Sequence, residues 1–366
     1  MSIQSAEQNS CDLNALKSLA ETNTRETRSS LFDQMSHLAY GTRSPMNERE
    51  REAAADILLG LLRDAAPDAR AVLAQRLTAS TGVPQDLLRA LAFDDDAVAR
   101  PIILHCLELC DDDIAALICE GSPAHRRIVT RREGLSERLS DLIVDCDDIE
   151  LTENLAANTT AHVSAATFNK MATKSETSQP LCKLMLERGD LPPIVAHRMF
   201  WWVRGATRQR VLANHAVDLE DLESILDEAC RNGLVRPPPL GSFRQFTDLI
   251  AGRDYLPISG LLTILRQGSL EHFARALCER MAIDRRTALR ITRDPGGEAI
   301  ALACRAMRVE KGQFLTMFFL MDFLRFGKAR PLSDLRYVEA AYDQLPQSRA
   351  KASVALWDTL EQAGEA

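Results

Sequence analysis

The chain has 366 residues, of which 46% are hydrophobic and 26% are charged. This balance is ordinary for a globular protein, and the length provides for two domains or one long repeat array. A formal net charge of −8 argues against nucleic acid as the default partner, although a local basic face can still bind one. Alternating β-branched runs are almost absent, so we expect an all-α fold with almost no sheet.

Cysteine usage and the lack of long apolar segments indicate the compartment. The nine cysteines are odd in number and irregularly spaced, and most fall within apolar helical patterns. We expect free thiols in a reducing compartment rather than a disulfide framework. The N-terminus lacks a secretory pattern, and the apolar run at residues 314–324 is shorter than the roughly 20 residues that a membrane span needs. We therefore predict a cytoplasmic protein without a membrane span.

In chain order, residues 1–11 are polar and predict a flexible N-terminus. From Leu13 onward, apolar residues at helical spacing predict one short helix after another as far as residue 231. Helix starts in this part are indicated by Ser44 with Pro45, by Pro84, by Ser136 and by Ser164.

The stretch 92–135 shows the repeating unit most clearly. Aspartate triplets at 94–96 and 111–113 each precede an apolar stripe, where carboxylates can cap free backbone amides and oppose the helix dipole. Gly121 suits a C-terminal cap, and Ser122 with Pro123 suits the start of the next helix. Pro101 falls beyond the first turn of its helix, which it should bend.

Helix junctions of this kind recur about every 27 residues, as in short helix-turn-helix repeats. They lie at Pro67, Asp94, Ser122 and Asp147, and near Glu176. Short helices with one apolar side bury a continuous core when they stack, which predicts a solenoid. We predict a repeat domain at 12–231, a proline-rich linker at 232–242, a C-terminal helical domain at 243–360 and a tail at 361–366.

A combination of positions carries a family resemblance: Leu88, Leu91, residues 94–96 and 98–101, Ser122, His125, Ile128, Arg131, Arg132, residues 135–137, Arg188 and residues 190–193. Together they resemble a bacterial family known as domain of unknown function 2336, over roughly residues 65–330. The resemblance implies a HEAT-like α/α superhelical repeat array. It implies no activity and carries over no catalytic residue.

Five basic residues form the first candidate partner-binding site: His125, Arg126, Arg127, Arg131 and Arg132. Arg127 and Arg131 lie one helical turn apart and share a face. Such a face binds a phosphate, a carboxylate-rich peptide or a nucleic-acid backbone. The alternative is that these arginines pair with the aspartate triplets or with Glu133 in neighbouring repeats.

Trp201, Trp202, Arg204 and Arg208 form the second candidate site, with Arg210 close by. Arginine beside tryptophan can stack on a base or bind an acidic partner. The alternative is a solvated helix face beside a buried indole, and we expect at least one of the two indoles to be buried. A further arginine group at 285–293 is typical of a solvated face.

The common signatures of catalysis are absent, namely GxxxxGK[ST], GxGxxG, GxSxG and HExxH. His105, Cys106 and Cys110 lack the second ligand pair of a zinc site, and residues 145–148 lack the glycine and the distant glutamate of a calcium loop. These absences favour a protein without catalytic activity, cofactor or metal.

These observations favour a non-catalytic scaffold or regulatory adaptor that binds another protein through the groove of a helical solenoid. One alternative is a HEAT-like nucleic-acid-binding protein with an arginine-lined face, for which steep salt dependence would be diagnostic. Another is an enzyme or small-ligand receptor whose pocket is walled by residues 314–324, although core packing or dimerisation also explains that segment. The identity of the partner and the oligomeric state stay open.

Overall fold

A computed structural model of the chain describes residues 25–40, 47–235, 257–327 and 335–363. These ranges contain 21 helices and no strand, which confirms the prediction of an all-α fold. None of the helices in these ranges is long and apolar enough to cross a bilayer. The predictions for residues 1–11, for the helix at Leu13, for the helix start at Ser44 and for the three prolines at 237–239 lie outside the described residues.

The chain divides into two compact units, Met1–Val163 and Ser164–Ala366. Nine helices of the first unit are described, and each has between 7 and 16 residues. They are α1 (Arg25–Tyr40), α2 (Glu48–Leu61), α3 (Pro67–Leu77), α4 (Gln85–Ala92), α5 (Asp96–His105), α6 (Asp111–Glu120), α7 (Pro123–Val129), α8 (Glu137–Asp145) and α9 (Ile149–Ala157).

The helices of the first unit alternate between two layers. Odd-numbered helices pack on one another in the pairs α1–α3, α3–α5, α5–α7 and α7–α9. Even-numbered helices form the other layer through α2–α4 and α6–α8, and the layers meet at α1–α2, α4–α5, α6–α7 and α8–α9. Packing between near neighbours in sequence is typical of a helical repeat array, in which each short helix buries its apolar face against the next repeat.

Hydrogen bonds between consecutive repeats recur near the predicted spacing. Arg70 Nε donates to Asp94 Oδ2 at 2.7 Å, across 24 residues. Arg132 donates to the carbonyl oxygens of Ile103 and Cys106, which lie 29 and 26 residues earlier. This periodic packing supports the predicted repeat, while the HEAT-like superhelical path stays a prediction.

The aspartate triplets do not cap their own helices through side-chain hydrogen bonds. Asp95 is the N-cap of α5 without such a bond, and Cys110 holds the N-cap position of α6. Carboxylates of the triplets bind arginines of other helices instead, as where Asp112 Oδ1 accepts from Arg138 Nη1 at 2.8 Å. Their role here is to join repeats, in addition to the favourable position of acidic residues at a helix start.

Other predicted helix starts are confirmed. Ser122 accepts a hydrogen bond from the backbone amide of His125 at 3.2 Å, and Pro123 is the first residue of α7. Ser164 is the N-cap of the next helix and accepts from the Thr167 amide at 3.1 Å. Such caps satisfy amides that have no partner within the helix.

Twelve helices of the second unit are described. They are α10 (Ala165–Ser175), α11 (Gln179–Glu187), α12 (Pro193–Met199), α13 (Ala206–Asn214), α14 (Leu222–Arg231), α15 (Ile258–Arg266), α16 (Leu270–Met281), α17 (Arg285–Arg293), α18 (Glu298–Ala306), α19 (Lys311–Phe326), α20 (Leu335–Gln344) and α21 (Gln347–Ala363).

Helix α18 is the centre of the second unit. It packs against α17, α19, α20 and α21, and every one of its residues except Arg305 is buried. Four of its nine residues are alanine, which lets the surrounding helices approach closely. The earlier helices of the unit keep the alternation, in the pairs α10–α12, α11–α13 and α12–α14.

The division of the chain falls at Val163, within the predicted repeat domain at 12–231. Helices α12 and α13 pack on α21 and α20, respectively, so helices from both sides of the predicted linker belong to one compact unit. Most of the predicted linker lies outside the described residues, and the proposed domain boundaries stay a prediction.

Candidate partner-binding cleft

Two residues of the first candidate site have structural partners. His125 is buried, and its Nε2 lies 2.8 Å from the Asp94 carbonyl oxygen. Arg132 binds two carbonyl oxygens at the end of α5, and burial lowers the pKa of its guanidinium. Both side chains therefore tie neighbouring repeats together.

The other three residues of this site are more accessible. Arg126 is half-buried and donates to the Cys119 carbonyl oxygen at 3.1 Å. Arg127 pairs with Glu150 at 2.8 Å on the exposed surface. Arg131 is exposed, and its guanidinium pairs with no carboxylate among the residues that the structure describes. Only Arg127 and Arg131 of the five present exposed guanidiniums, so the cluster is smaller than the sequence suggests.

The second candidate site lies in the turn after α12. Trp201 and Trp202 are both half-buried, contrary to the expectation that at least one indole is buried. The ring centroid of Trp201 lies 4.9 Å from that of Trp357, the fully buried indole of α21. Trp202 Nε1 donates to Ser175 Oγ at 3.2 Å. The two indoles are thus held in place while part of each stays accessible.

Arg290 of α17 meets Trp201 across this turn. Its guanidinium carbon lies 4.6 Å from the centroid of the Trp201 ring, which is the geometry of a cation–π contact. The same guanidinium forms an ion pair with Glu361 in the last turn of α21. The predicted arginine group at 285–293 therefore contributes to the site of the predicted tryptophan pair, rather than being only a solvated face.

Two adjoining clefts flank the contact between Arg290 and Trp201. The first, which we name the tryptophan cleft, has a volume of ≈ 340 Å³. It is lined by Asn169, Glu176, Ile194, Val195, Arg198, Trp201, Trp202, Leu234, Arg290, Leu360, Glu361 and Ala363. The second, of ≈ 470 Å³, shares Trp201, Arg290 and Glu361 and adds Arg286, Leu289, Arg293, Asp294 and Pro295.

Charge in the tryptophan cleft is mixed. Arg198 and Arg290 contribute positive charge, and Glu176 and Glu361 contribute negative charge. Burial lowers the pKa of Arg290, the nearby Glu176 carboxylate opposes that change, and repulsion from Arg198 adds to it. Arg198 hydrogen-bonds to neutral side chains, Asn169 and Thr173. The cleft thus combines half-buried indoles, aliphatic side chains and two neighbouring guanidiniums.

Arg208, which we predicted in the partner-binding site, is fully buried. Its Nη1 lies 2.9 Å from Asp294 Oδ1 and 2.6 Å from Glu298 Oε2, and its guanidinium stacks on the Phe200 ring at 4.2 Å. A Cβ atom at Gly296 would overlap Glu298 and Arg208, so this turn requires glycine. Arg208 is a core ion-pair residue that joins α13 to α18, and it offers no surface to a partner.

Arg204 is exposed and lies outside the tryptophan cleft. It lines a separate depression of ≈ 510 Å³ together with Gly205, Pro295, Gly296, Glu298, Phe326 and Tyr337. Of the four residues predicted for the second site, the structure therefore brings Trp201 and Trp202 together and separates Arg204 and Arg208 from them.

Indole, guanidinium, carboxylate and aliphatic side chains line the two clefts. The described residues that form their walls include no histidine, cysteine or serine, and the carboxylates among them belong to Glu176, Glu361 and Asp294. The eight cysteines within the described residues are free, as expected, and burial raises the pKa of Cys304 to about 12. The same residues contain no group of three or more metal-ligating side chains.

Residues 98–355 match the family described as uncharacterised protein conserved in bacteria (DUF2336). The chain belongs to this family. The DUF2336 match confirms the resemblance found in the sequence and assigns no activity. No curated protein and no solved structure matches the chain. The match includes Trp201 and Arg290, whereas Leu360 and Glu361 lie beyond its last residue.

Sequence reasoning on this DUF2336 protein missed Arg198, Arg290 and Glu361 as site residues. Arg290 belonged to a group already noted, but its proximity to Trp201 depends on the packing of α12, α17 and α21 in the second unit. Arg290 lies close in sequence to Ala288 and Ile291, which are buried. An arginine in such a position is typical of the edge of an amphipathic helix and does not indicate a ligand site. No local signal in the sequence connects it to the tryptophans.

Proposed function

We propose that this protein is a non-catalytic interaction protein, a scaffold or regulatory adaptor, and that the tryptophan cleft of its second unit binds a segment of a partner protein. The observation that carries the proposal is the convergence of Trp201, Trp202 and Arg290 on one cleft from separate parts of the chain.

The composition of the cleft supports protein binding. Tryptophan and arginine are the residues most enriched among those that dominate binding free energy at protein interfaces, especially where they lie in a pocket. Binding to these indoles also costs little conformational entropy, because contacts with Trp357 and Ser175 already hold the Trp201 and Trp202 side chains in place.

The two exposed arginines of the first unit, Arg127 and Arg131, provide a second surface for the same role. Arg127 is paired with Glu150, and exposed pairs of this kind contribute little to stability because water and salt screen them. A partner that offers a carboxylate can therefore compete for Arg127 at little cost. We treat this surface as a separate test of the proposal.

The test is affinity purification of the full chain from its native host, with and without nuclease, followed by mass spectrometry. Arg290→Gln changes the tryptophan cleft, and the double substitution Arg127→Glu/Arg131→Glu changes the first surface. Arg275→Gln is the matched control, since Arg275 is an exposed, ion-paired arginine of the same unit, 77% accessible and outside both clefts. Thermal unfolding of each variant checks that the fold is intact.

We expect a defined protein that survives nuclease treatment, is recovered with wild type and Arg275→Gln, and is reduced at least about tenfold with Arg290→Gln, a loss of about 1.4 kcal/mol. If recovery of the partner is unchanged with Arg290→Gln and lost with the double variant, the partner binds the first unit rather than the tryptophan cleft. If nucleic acid alone were recovered, the scaffold proposal would be wrong, and the nucleic-acid alternative would replace it.

A further inference from the structure

The tryptophan cleft already contains a carboxylate from the protein itself. Glu361, in the last turn of α21, forms an ion pair with Arg290, and its side chain is 17% exposed. Leu360 and Ala363 of the same turn also line the cleft. The end of α21 therefore presents an acidic and an aliphatic side chain to the indole and guanidinium that we propose as the binding surface.

Arg290 has hydrogen-bonding capacity beyond this contact. A guanidinium has five N–H donors around its edge, and stacking on an aromatic ring leaves that edge available. Among the described residues, the carboxylate of Glu361 is the hydrogen-bond acceptor of Arg290. The Arg290 side chain remains 42% exposed, so a second carboxylate has access to the same edge.

The charges around Arg290 are mixed, and arginines outnumber carboxylates in the adjoining cleft. Arg198 raises the local positive potential beside Arg290, and its own hydrogen bonds go to neutral acceptors. In the adjoining cleft, Arg286, Arg290 and Arg293 face Glu361 and Asp294. Three guanidiniums and two carboxylates therefore line that cleft, and the Asp294 carboxylate also pairs with Arg208 in the core.

We infer that the natural occupant of the tryptophan cleft is an acidic peptide segment of the partner protein, and that Glu361 is an internal competitor for it. The partner carboxylate replaces Glu361 on Arg290, and an aliphatic side chain beside it packs on Trp201. This inference rests on the proposed function and specifies the chemistry of the partner.

The apolar walls favour a peptide over a polyanion. Ile194, Val195, Leu234 and Leu360 line the cleft beside the indoles, and they offer nothing to a phosphate backbone. Glu176 and Glu361 lie in the same cleft and repel every negative charge that enters it, so a ligand with few carboxylates suits the cleft better than a continuous row of phosphates. A short peptide with carboxylates and leucines satisfies both the guanidinium and the apolar walls.

The experiment measures binding of a fluorescein-labelled peptide rich in glutamate and leucine to the full chain by fluorescence anisotropy. A peptide with glutamine in place of every glutamate is the charge control. Glu361→Gln removes the internal carboxylate, Glu361→Asp retains it, and Arg290→Gln removes its partner. Arg275→Gln again controls for loss of an exposed arginine, and unfolding curves confirm that each variant folds.

We expect Glu361→Gln to bind the acidic peptide about fivefold more tightly than wild type, which corresponds to the release of one partly exposed ion pair. Glu361→Asp should bind like wild type, Arg290→Gln should lose at least about tenfold in affinity, and the glutamine peptide should not bind. Intrinsic tryptophan fluorescence should change on binding, because Trp201 and Trp202 line the cleft.

An unchanged or weaker affinity in Glu361→Gln would overturn the inference, as would equal binding of the glutamine peptide. Displacement of the peptide by oligothymidylate or by inorganic phosphate at lower concentration would also overturn it, in favour of a phosphate ligand. A different result would refute the proposed function, namely recovery of the native partner by the Arg290→Gln variant at the level of wild type. If Arg290→Gln abolishes partner binding and Glu361→Gln leaves it unchanged, the cleft is still the binding site, but internal competition by Glu361 is refuted.

Discussion

At the scale of single residues, we expect buried histidines of the second unit to make the stability of the protein depend on pH. His197 in α12 is completely buried, its Nε2 lies 3.0 Å from the His215 carbonyl oxygen, and its Nδ1 has no hydrogen-bond partner among the described residues. Burial lowers the pKa of His197 to about 4, from an ordinary value of 6.5. Burial also lowers the pKa of His215.

The direction of the pH effect follows from this difference. Between pH 6.5 and about 4 the unfolded chain binds a proton at His197 and the folded protein does not, so stability falls as the pH falls through this window. Between about pH 7.5 and about pH 5 we expect a loss of about 2 kcal/mol from this group. Well above pH 6.5 the contribution is complete and constant.

Urea unfolding at a series of pH values checks this prediction. His197→Gln keeps an N–H donor for the His215 carbonyl oxygen but does not titrate, so its stability should vary less over the acidic range. His272→Gln changes an exposed histidine of the same unit and should retain the wild-type dependence. Parallel curves for wild type and His197→Gln would show that His197 does not control the acid sensitivity.

At the scale of helices, the repeats of the first unit are joined by side chains as well as by apolar packing. Glu108, in the turn between α5 and α6, accepts from the backbone amides of Gly82 and Val83 at 2.6 and 2.8 Å. Its own carbonyl oxygen accepts from Gln85 Nε2 at 2.8 Å. One acidic residue thus satisfies two backbone amides of the turn that precedes α4.

Removing this carboxylate should destabilise the first unit. We expect Glu108→Ala to lower the free energy of unfolding by about 2 kcal/mol, because two backbone amides lose a charged acceptor, and Glu108→Gln to cost about half as much. Glu120→Ala is the matched control on an exposed position of α6 and should cost less than about 0.5 kcal/mol. Chemical unfolding of the three variants measures the differences, and equal stability of Glu108→Ala and Glu120→Ala would contradict the assigned role.

The sequence predicted helices well because their signal is local. Apolar spacing, Ser122 with Pro123, and Ser164 specify helix faces and starts that depend on residues only a few positions apart. The aspartate triplets were interpreted less well, since a carboxylate that suits a cap also suits an arginine one repeat away. Local chemistry does not distinguish the two, because the choice depends on how the helices stack.

At the scale of the molecule, the limits of sequence reasoning concern contacts between distant segments. In the sequence, Arg208 resembled a surface arginine. The carboxylates with which it pairs in the core, Asp294 and Glu298, come from a later part of the chain. Trp201 and Arg290 were both noted, but their contact depends on the packing of α12 and α17 with α21. Function in such a fold depends on which of many arginines reach a shared surface, and only the tertiary structure decides that.

The charge of the whole chain gives the last prediction. The formal net charge is −8, so an acidic partner is repelled at long range and attracted at short range by the arginines of the two clefts. Binding that rests on one or two guanidinium–carboxylate contacts should weaken only about threefold to tenfold when salt rises from about 50 to about 200 mM, since few charges are neutralised. Salt does not screen the apolar contact with the indoles, which should provide the remaining affinity.

Anisotropy titrations of the acidic peptide at several salt concentrations measure this dependence. We expect Arg293→Gln to make the salt dependence shallower and Arg275→Gln to leave it unchanged. A loss of about a thousandfold over the same range would instead indicate an extended row of charge contacts, as on a nucleic-acid backbone, and would contradict binding of a short acidic segment.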